Sequence, residues 1–230
     1  MAIVKKYRSE VTRIENPIPD IYMVTFRSLD KRYKYLPGQF LHLALDEYDP
    51  SRPWPESRCF SMQSSDTNEQ VTLTFAIKGA FTTRMANELH EGKVLYLKMP
   101  YGELFSQQHS KERTVFIAGG TGITPYLSLF TSPSFRDYAG PRLYFGFRDE
   151  RYHEIFKDDL GKAYGINRSF DISLVNQQTE GMLNIDVIYG ENGRESVYFI
   201  SGPPVMIHAF KEYLAGAGVG ADNIRTDNWE

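Results

Sequence analysis

Cysteine is all but missing from this chain: Cys59 is the only one in 230 residues. A single thiol excludes an internal disulfide, and it excludes any iron–sulfur cluster held by four cysteines of this chain. If the protein moves electrons, it must do so through an organic cofactor. No apolar run approaches the roughly 18 residues of a membrane span, and the opening MAIVKKYRSE has no signal core, so no membrane span and a cytoplasmic location are expected. Neither charge dominates: 26 Lys+Arg against 29 Asp+Glu give a net charge of -3, without the basic footprint of a nucleic-acid binder. The five histidines form no cluster and no metal spacing such as HExxH, so no metal centre is expected.

What is present is enough apolar material, 41%, to bury a substantial core in one large domain or two small ones. Up to about residue 106 the chain reads as short strands punctuated by turns: YRSEVTRIENPI, DIYMVTFRSL, GQFLHLALD, RCFSMQSS, QVTLTFAIKG and KVLYLKMP. β-Branched and aromatic residues in near alternation, with one helical insert over residues 82–89, predict an antiparallel barrel of Greek-key type in preference to a sandwich. The loop DEYDPSRPWPES, with three prolines, is expected to stand off the barrel. Beyond residue 110 strands alternate with helices: TVFIAGG leads to PYLSLF, PRLYFGFR to HEIFKDDLGKAYG, and SVYFISG to PPVMIHAFKEYLAGAG. That alternation predicts a Rossmann-like parallel sheet with crossover helices, the last helix stopping at Gly216. The polar segment SQQHSKER marks the boundary, giving domains 1–108 and 109–230.

Five short stretches carry candidate chemistry. In Thr114-Val-Phe-Ile-Ala-Gly-Gly-Thr-Gly-Ile-Thr-Pro125 a strand ends at glycines and a helix restarts with Pro125 in its first turn, the layout of a backbone anion site or of a tight turn with no ligand. Ser201-Gly-Pro-Pro-Val-Met206 repeats the pattern, and two glycine-marked strand ends can line one crevice of a parallel sheet. Arg148 and Arg151, after a third strand end, are either contacts for an adenosine or solvated charges. Arg58-Cys59-Phe60-Ser61 offers a guanidinium fork and a hydroxyl. Gly79-Ala-Phe-Thr82-Thr83 places hydroxyls at a helix start, as caps or as phosphate ligands.

Taken in chain order, five motifs resemble those of the ferredoxin–NADP reductase superfamily: RCFS for its flavin motif Arg-x-Tyr-Ser, GAFT for its phosphate turn, PYGELF for Pro-x-Gly-x-Phe with one extra residue, GGTGITP for Gly-Gly-x-Gly-x-x-Pro, and GPPVM for Gly-Pro-Pro-x-Met. The match runs from about Gly38 to the C-terminus. The resemblance implies a flavin on the barrel, a nicotinamide dinucleotide on the second domain, and hydride passing from one to the other. It implies that Arg58 holds the flavin phosphate, that Phe60 flanks the isoalloxazine and that Ser61 sits near flavin N5. Cys59, the main chain of Phe75, Ala76, Ile77 and Lys78, and the turn from Gly79 through Thr82 and Thr83 would hold the rest. Gly120, Thr121, Gly122, Pro125 and Arg148 would line the dinucleotide, while Gly202, Pro203 and Met206 would border the nicotinamide. Ser201 stands where many members carry a cysteine. Asp227 takes the place of a family carboxylate, or is an ordinary tail residue. Trp229 resembles a flavin-shielding terminal aromatic, or packs on the surface. Phe60 replaces the usual tyrosine, so a hydroxyl contact is lost while stacking survives.

The implied activity is that of an NAD(P)H-dependent flavoprotein reductase that passes electrons to a separate ferredoxin, flavodoxin or oxygenase component. Two phosphate turns point to FAD rather than FMN. The region LVNQQTEG lacks the Ser-Arg that often binds a 2′-phosphate, which points to NADH, although Arg148 and Arg151 could restore that contact for NADPH. A free-flavin reductase, with flavin as substrate, and a non-catalytic nucleotide-binding module are the other readings. The electron acceptor and the oligomeric state are not legible.

Overall fold

The computed structural model describes residues 3–227, and these divide into two compact units that meet in sequence between Glu103 and Leu104. In the first, six strands alternate buried apolar and exposed polar residues: β1 (Lys5–Ile18), β2 (Ile21–Ser28), β3 (Phe40–Ala44), β4 (Ser57–Ser61), β5 (Val71–Ala76) and β6 (Val94–Tyr101). They form one antiparallel sheet in the order β4-β3-β6-β1-β2-β5. The sheet curls so that its two edges approach, with Gln63 N–H just after β4 donating to Thr72 O on β5 at 2.8 Å. Val11, Val24, Phe26, Leu41, Leu43, Leu73, Leu95 and Leu97 fill the barrel, all of them out of reach of water. Truncating any of these leucines to alanine removes transfer energy and leaves a hole, about 2–5 kcal/mol in all. Helix α1 (Ala80–Glu88) plugs one end through Phe81 and Met85.

The proline-rich loop 46–57 does not stand off the barrel. Tyr48 and Trp54 pack with their rings tilted at 5.2 Å and lie against the outer face of the sheet, where the Lys6 ammonium sits 4.1 Å from the Tyr48 ring centre and 5.9 Å from that of Trp54. The Lys98 ammonium, paired with Lys6 across β1 and β6, also lies 5.9 Å from the Trp54 ring centre. Cations from β1 and β6 thus hold a polar loop by its aromatic residues, a force that counting its prolines and charges does not capture.

The second unit is built on five parallel strands: β7 (Thr114–Gly119), β8 (Arg142–Phe147), β9 (Asp171–Asn176), β10 (Val197–Ser201) and β11 (Ile224–Thr226), ordered β11-β10-β7-β8-β9. Between them run α2 (Thr124–Phe130), α3 (Arg151–Ile166), α4 (Gln177–Glu180), α5 (Ile185–Asn192) and α6 (Pro204–Gly216). The central strands are apolar on both faces, and two separate clusters cover them: Phe116, Phe130, Phe145 and Phe156 on one side, Ile117, Tyr198, Ile200 and Leu214 on the other. β7 lies between β8 and β10, so the order of the sheet reverses at β7/β10.

Three local features depart from expectation. Gly216 ends α6 as an ordinary helical residue. The left-handed stop is Gly218, at φ 84°, with Val219 N–H bonding Leu214 O and Gly218 N–H bonding Ala215 O. A stop of this kind needs a left-handed residue beyond the last turn, and Gly-Ala-Gly offered two candidates. α5 and β11 have sequences too weakly patterned to announce themselves. The polar stretch after Leu104 is tied down: Phe105 packs on Phe199 at 5.0 Å, His109 Nε2 accepts from the Tyr138 hydroxyl at 2.7 Å, and Arg225 on β11 donates to Gln108 O at 2.8 Å.

Candidate functional site

In the first unit the predicted residues gather at the edge strand β4 and the start of α1. Arg58 and Phe60 pair with Leu43 and Leu41 of β3. The Arg58 guanidinium lies over the Phe81 ring of α1, 5.1 Å from its centre, and Phe60 meets Phe75 edge-on at 6.2 Å. Phe75 is buried and stacks on Tyr22 at 5.2 Å. Strand alternation turns Cys59 away from Arg58 and Phe60. Its sulfur lies 3.5 Å from His42 Nε2, and burial raises the thiol pKa against the opposing pull of Arg58. Any contribution of Cys59 on the Arg58 side is therefore through its backbone. Ser61 is 8% exposed and pairs with Phe40.

The turn after β5 divides the two threonine roles. Thr82 Oγ1 accepts from Lys78 N at 2.8 Å and from Gly79 N at 3.1 Å, and Thr83 Oγ1 donates to Gly79 O at 3.1 Å. Both hydroxyls fold the turn. Gly79 has no side chain to cap the helix, so no side-chain cap occupies the first backbone N–H groups of α1, and a helix start of this kind can donate to an anion. Ala76 and Ile77 lead into this turn, with Ile77 N–H fixed to Asp20 O.

The glycine stretches of the second unit meet at the C-terminal ends of adjacent strands. After β7, residues Gly120–Ile123 make a 3₁₀ turn, closed by Thr124 N–H on Thr121 O, before α2 takes over with Pro125 in its first turn. A Cβ on Gly122 would stand 2.6 Å from Gly202 Cα, Gly202 N and Ser201 O. A Cβ on Gly202 would fall 2.8 Å from Met206 and 3.0 Å from Gly119 N, and one on Gly119 would fall 2.9 Å from Pro203. At Gly120, φ 55°, an added Cβ would meet only Tyr152 Cε1, at 3.9 Å. The two turns are thus packed backbone to backbone at the point where the sheet order reverses, the place where open parallel sheets bind ligands.

Ser201 and Asp227 come together beside these turns. The buried Ser201 hydroxyl donates to Asp227 Oδ2 at 3.3 Å, and Asp227 N–H donates to Ile200 O. Burial, with the Asp227 carboxylate adding to it, keeps the Tyr126 phenol far above its ordinary pKa. Trp229 lies outside the described residues. Arg148 and Arg151, alike in sequence, differ in state. Arg151 is clamped on Asp149, whose carboxyl it pulls down to about 2, whereas Arg148 is exposed and has no hydrogen-bond or ion-pair partner among the described residues. At the end of β9, Asn176 donates to Glu150 Oε2 at 3.0 Å, and its N–H reaches Glu180 Oε1 at 3.4 Å.

A cavity of about 230 Å³ opens at the opposite end of this sheet, lined by Arg113, Thr114, Arg142, Glu191 and Asn192 among others. Both charge signs line it, and Thr114 and Asn192 bond within the fold, so it stands apart from the glycine turns in place and in chemistry. Residues that sequence reasoning passed over include Glu56, which pairs with Arg58 at 3.0 Å, Phe81 beneath the Arg58 guanidinium, and Tyr22 against Phe75. Only Glu56 had a sequence signal, an acid two residues before the arginine.

No family model matches the chain. It is 24% identical over 219 residues to a flavohemoprotein of Candida norvegensis, covering 91% of this chain and 54% of that one. It is 25% identical over 237 residues to a ferredoxin–NAD(P)+ reductase of Metapseudomonas resinovorans, covering 97% and 69%. The chain thus spans about half the length of the first relative and two thirds of the second. Its fold is that of a ferredoxin NADP+ reductase from Neisseria gonorrhoeae with bound FAD and NADP, at TM-score 0.78 and 16% identity over 98% of both chains.

Proposed function

We propose, on the premise that the chain belongs to the ferredoxin–NADP reductase superfamily, that it is an NAD(P)H-dependent flavoprotein reductase that oxidises the nicotinamide cofactor and delivers the electrons to a separate ferredoxin, flavodoxin or oxygenase component. The observation that carries this reading is the packing of Gly122 on Gly202, which sets two glycine turns together at the switch point of a parallel sheet.

Each unit has one task. In the first unit, Arg58 and the backbone N–H groups at the start of α1 take the phosphates of FAD, while Phe60 offers its ring to the isoalloxazine. The flavin supplies the hydride acceptor. In the second unit, the 3₁₀ turn at Gly120–Gly122 takes the pyrophosphate of the dinucleotide on its backbone, and Gly202, Pro203 and Met206 border the nicotinamide. The Ser201 hydrogen is committed to Asp227, which leaves the Ser201 oxygen free to accept from the carboxamide N–H. No strong acid or base is needed, because hydride transfer depends on holding two rings in register with water excluded.

NADH is the preferred reductant. The carboxylates of Glu150 and Glu180 at the end of β9 repel a 2′-phosphate, and Arg148 is the one cation of its strand end left to offset them. Anaerobic addition of NADH to the FAD-loaded protein should bleach the flavin, faster than NADPH does. Flavin absorbance that persists with both would overturn the proposal.

A further inference from the structure

The loop from Asp46 to Ser57 reaches both elements assigned to the flavin phosphates. At its start, Asp46 accepts from the Arg84 guanidinium on α1 at 3.0 Å, and Arg84 also donates to Glu88 at 2.6 Å. In its middle, Tyr48 and Trp54 are held by Lys6 and Lys98, and Trp54 Nε1 donates to Ser57 Oγ at 3.1 Å. At its end, Glu56 Oε1 accepts from Arg58 Nη2 at 3.0 Å, while Arg58 Nη1 donates to Ser57 O at 2.9 Å. The loop is pinned at its start and middle, so Glu56 is delivered to one place, against the guanidinium that lies over Phe81.

We infer that Glu56 is a resident stand-in for the flavin phosphate, holding Arg58 in its binding pose when no flavin is bound and yielding the guanidinium when a phosphate arrives. The inference rests on the flavin reading of this site. Carboxylate and phosphate seek the same fork of donors, and two anions on one guanidinium repel each other, so one displaces the other. The Arg58 and Glu56 side chains are 53% and 57% exposed, which makes their pair weak and exchangeable rather than a permanent part of the fold. The Phe81 ring keeps the guanidinium in place through the exchange. The competition acts only on flavins that carry a phosphate, and so Glu56 sets how firmly the protein retains its flavin without touching the ring.

The test titrates flavin-free protein with FAD, FMN and riboflavin, following flavin fluorescence, for wild type, Glu56→Gln and Glu56→Asp. Glu56→Gln should bind FAD and FMN about 2- to 5-fold more tightly at low salt, the range of an exposed ion pair. That gain should shrink as ionic strength rises. Riboflavin affinity should not change, and Glu56→Asp, which keeps the charge, should stay near wild type for all three. An equal change for riboflavin, or no change for the phosphorylated flavins, overturns the inference. If wild-type protein binds none of the three, the flavin reading itself falls and this inference with it.

Discussion

At Gly122 one added carbon meets three backbone atoms of the Ser201–Gly202 peptide, all at 2.6 Å, whereas at Gly120, two residues earlier, the nearest atom to an added carbon is Tyr152 Cε1 at 3.9 Å. The two glycines look equivalent in GGTGITP, yet they are required for different reasons. Gly120 is needed for its left-handed φ of 55°, and Gly122 for the approach of the Ser201–Gly202 backbone. Gly120→Ala should therefore cost about 1–2 kcal/mol of stability, the strain of a left-handed alanine. Gly122→Ala should cost about 3 kcal/mol or more, since neither backbone can give way without moving a strand end. Urea unfolding of both variants checks the order, and equal losses would contradict the packing. The sequence marked both residues as a phosphate turn. The partner that fixes Gly122 lies about eighty positions along the chain and enters only through the pairing of β7 with β10. The same limit applied to Arg58, whose ring partner Phe81 comes from α1.

Among the elements, the segment following Leu104 behaves unlike its composition. SQQHSKER has no apolar period, but Phe105 enters an aromatic cluster, and His109 is held by two bonds. Gln107 O can only accept, so His109 Nδ1 carries the proton and Nε2 accepts from Tyr138. Burial, followed by the charges of Arg225 and Lys111, lowers the His109 pKa below its ordinary 6.5, with the Gln107 carbonyl pulling the other way. A histidine whose folded pKa is depressed stabilises the fold in its neutral form. That contribution is complete above the unfolded value and is lost as pH falls below it toward the folded pKa. His42, lowered by burial and by Lys98, acts in the same direction. Urea midpoints should thus fall from about pH 7.5 to about pH 5.5, and His109→Gln should flatten part of that slope. An unchanged slope in the variant would remove His109 from the account. The strand-rich and strand–helix halves were legible because periods of two and of 3.6 residues recur in each. This strap was not, because its anchors are single residues reading partners on β11 and beside β8.

On the scale of the whole molecule, the sheet order β11-β10-β7-β8-β9 explains why two motifs far apart in sequence meet at one point. The order reverses at β7/β10, and both strands end in glycines there. Nothing comparable shows at the mixed-charge cavity on the opposite end of the sheet. Among the described residues no helix is long and apolar enough to cross a membrane, and no group of three or more potential metal ligands occurs. The chemistry proposed above uses two organic cofactors, one assigned to each unit. Its central claim is direct hydride transfer from the nicotinamide to the flavin. The most direct measurement is anaerobic stopped-flow of the FAD-loaded protein with NADH and with NADH deuterated at the transferring position. The account predicts that the flavin bleaches in a single exponential and that deuteration slows this phase by a primary isotope effect. Bleaching with no isotope effect in a phase shown to be limited by transfer, or no bleaching at all, would contradict it.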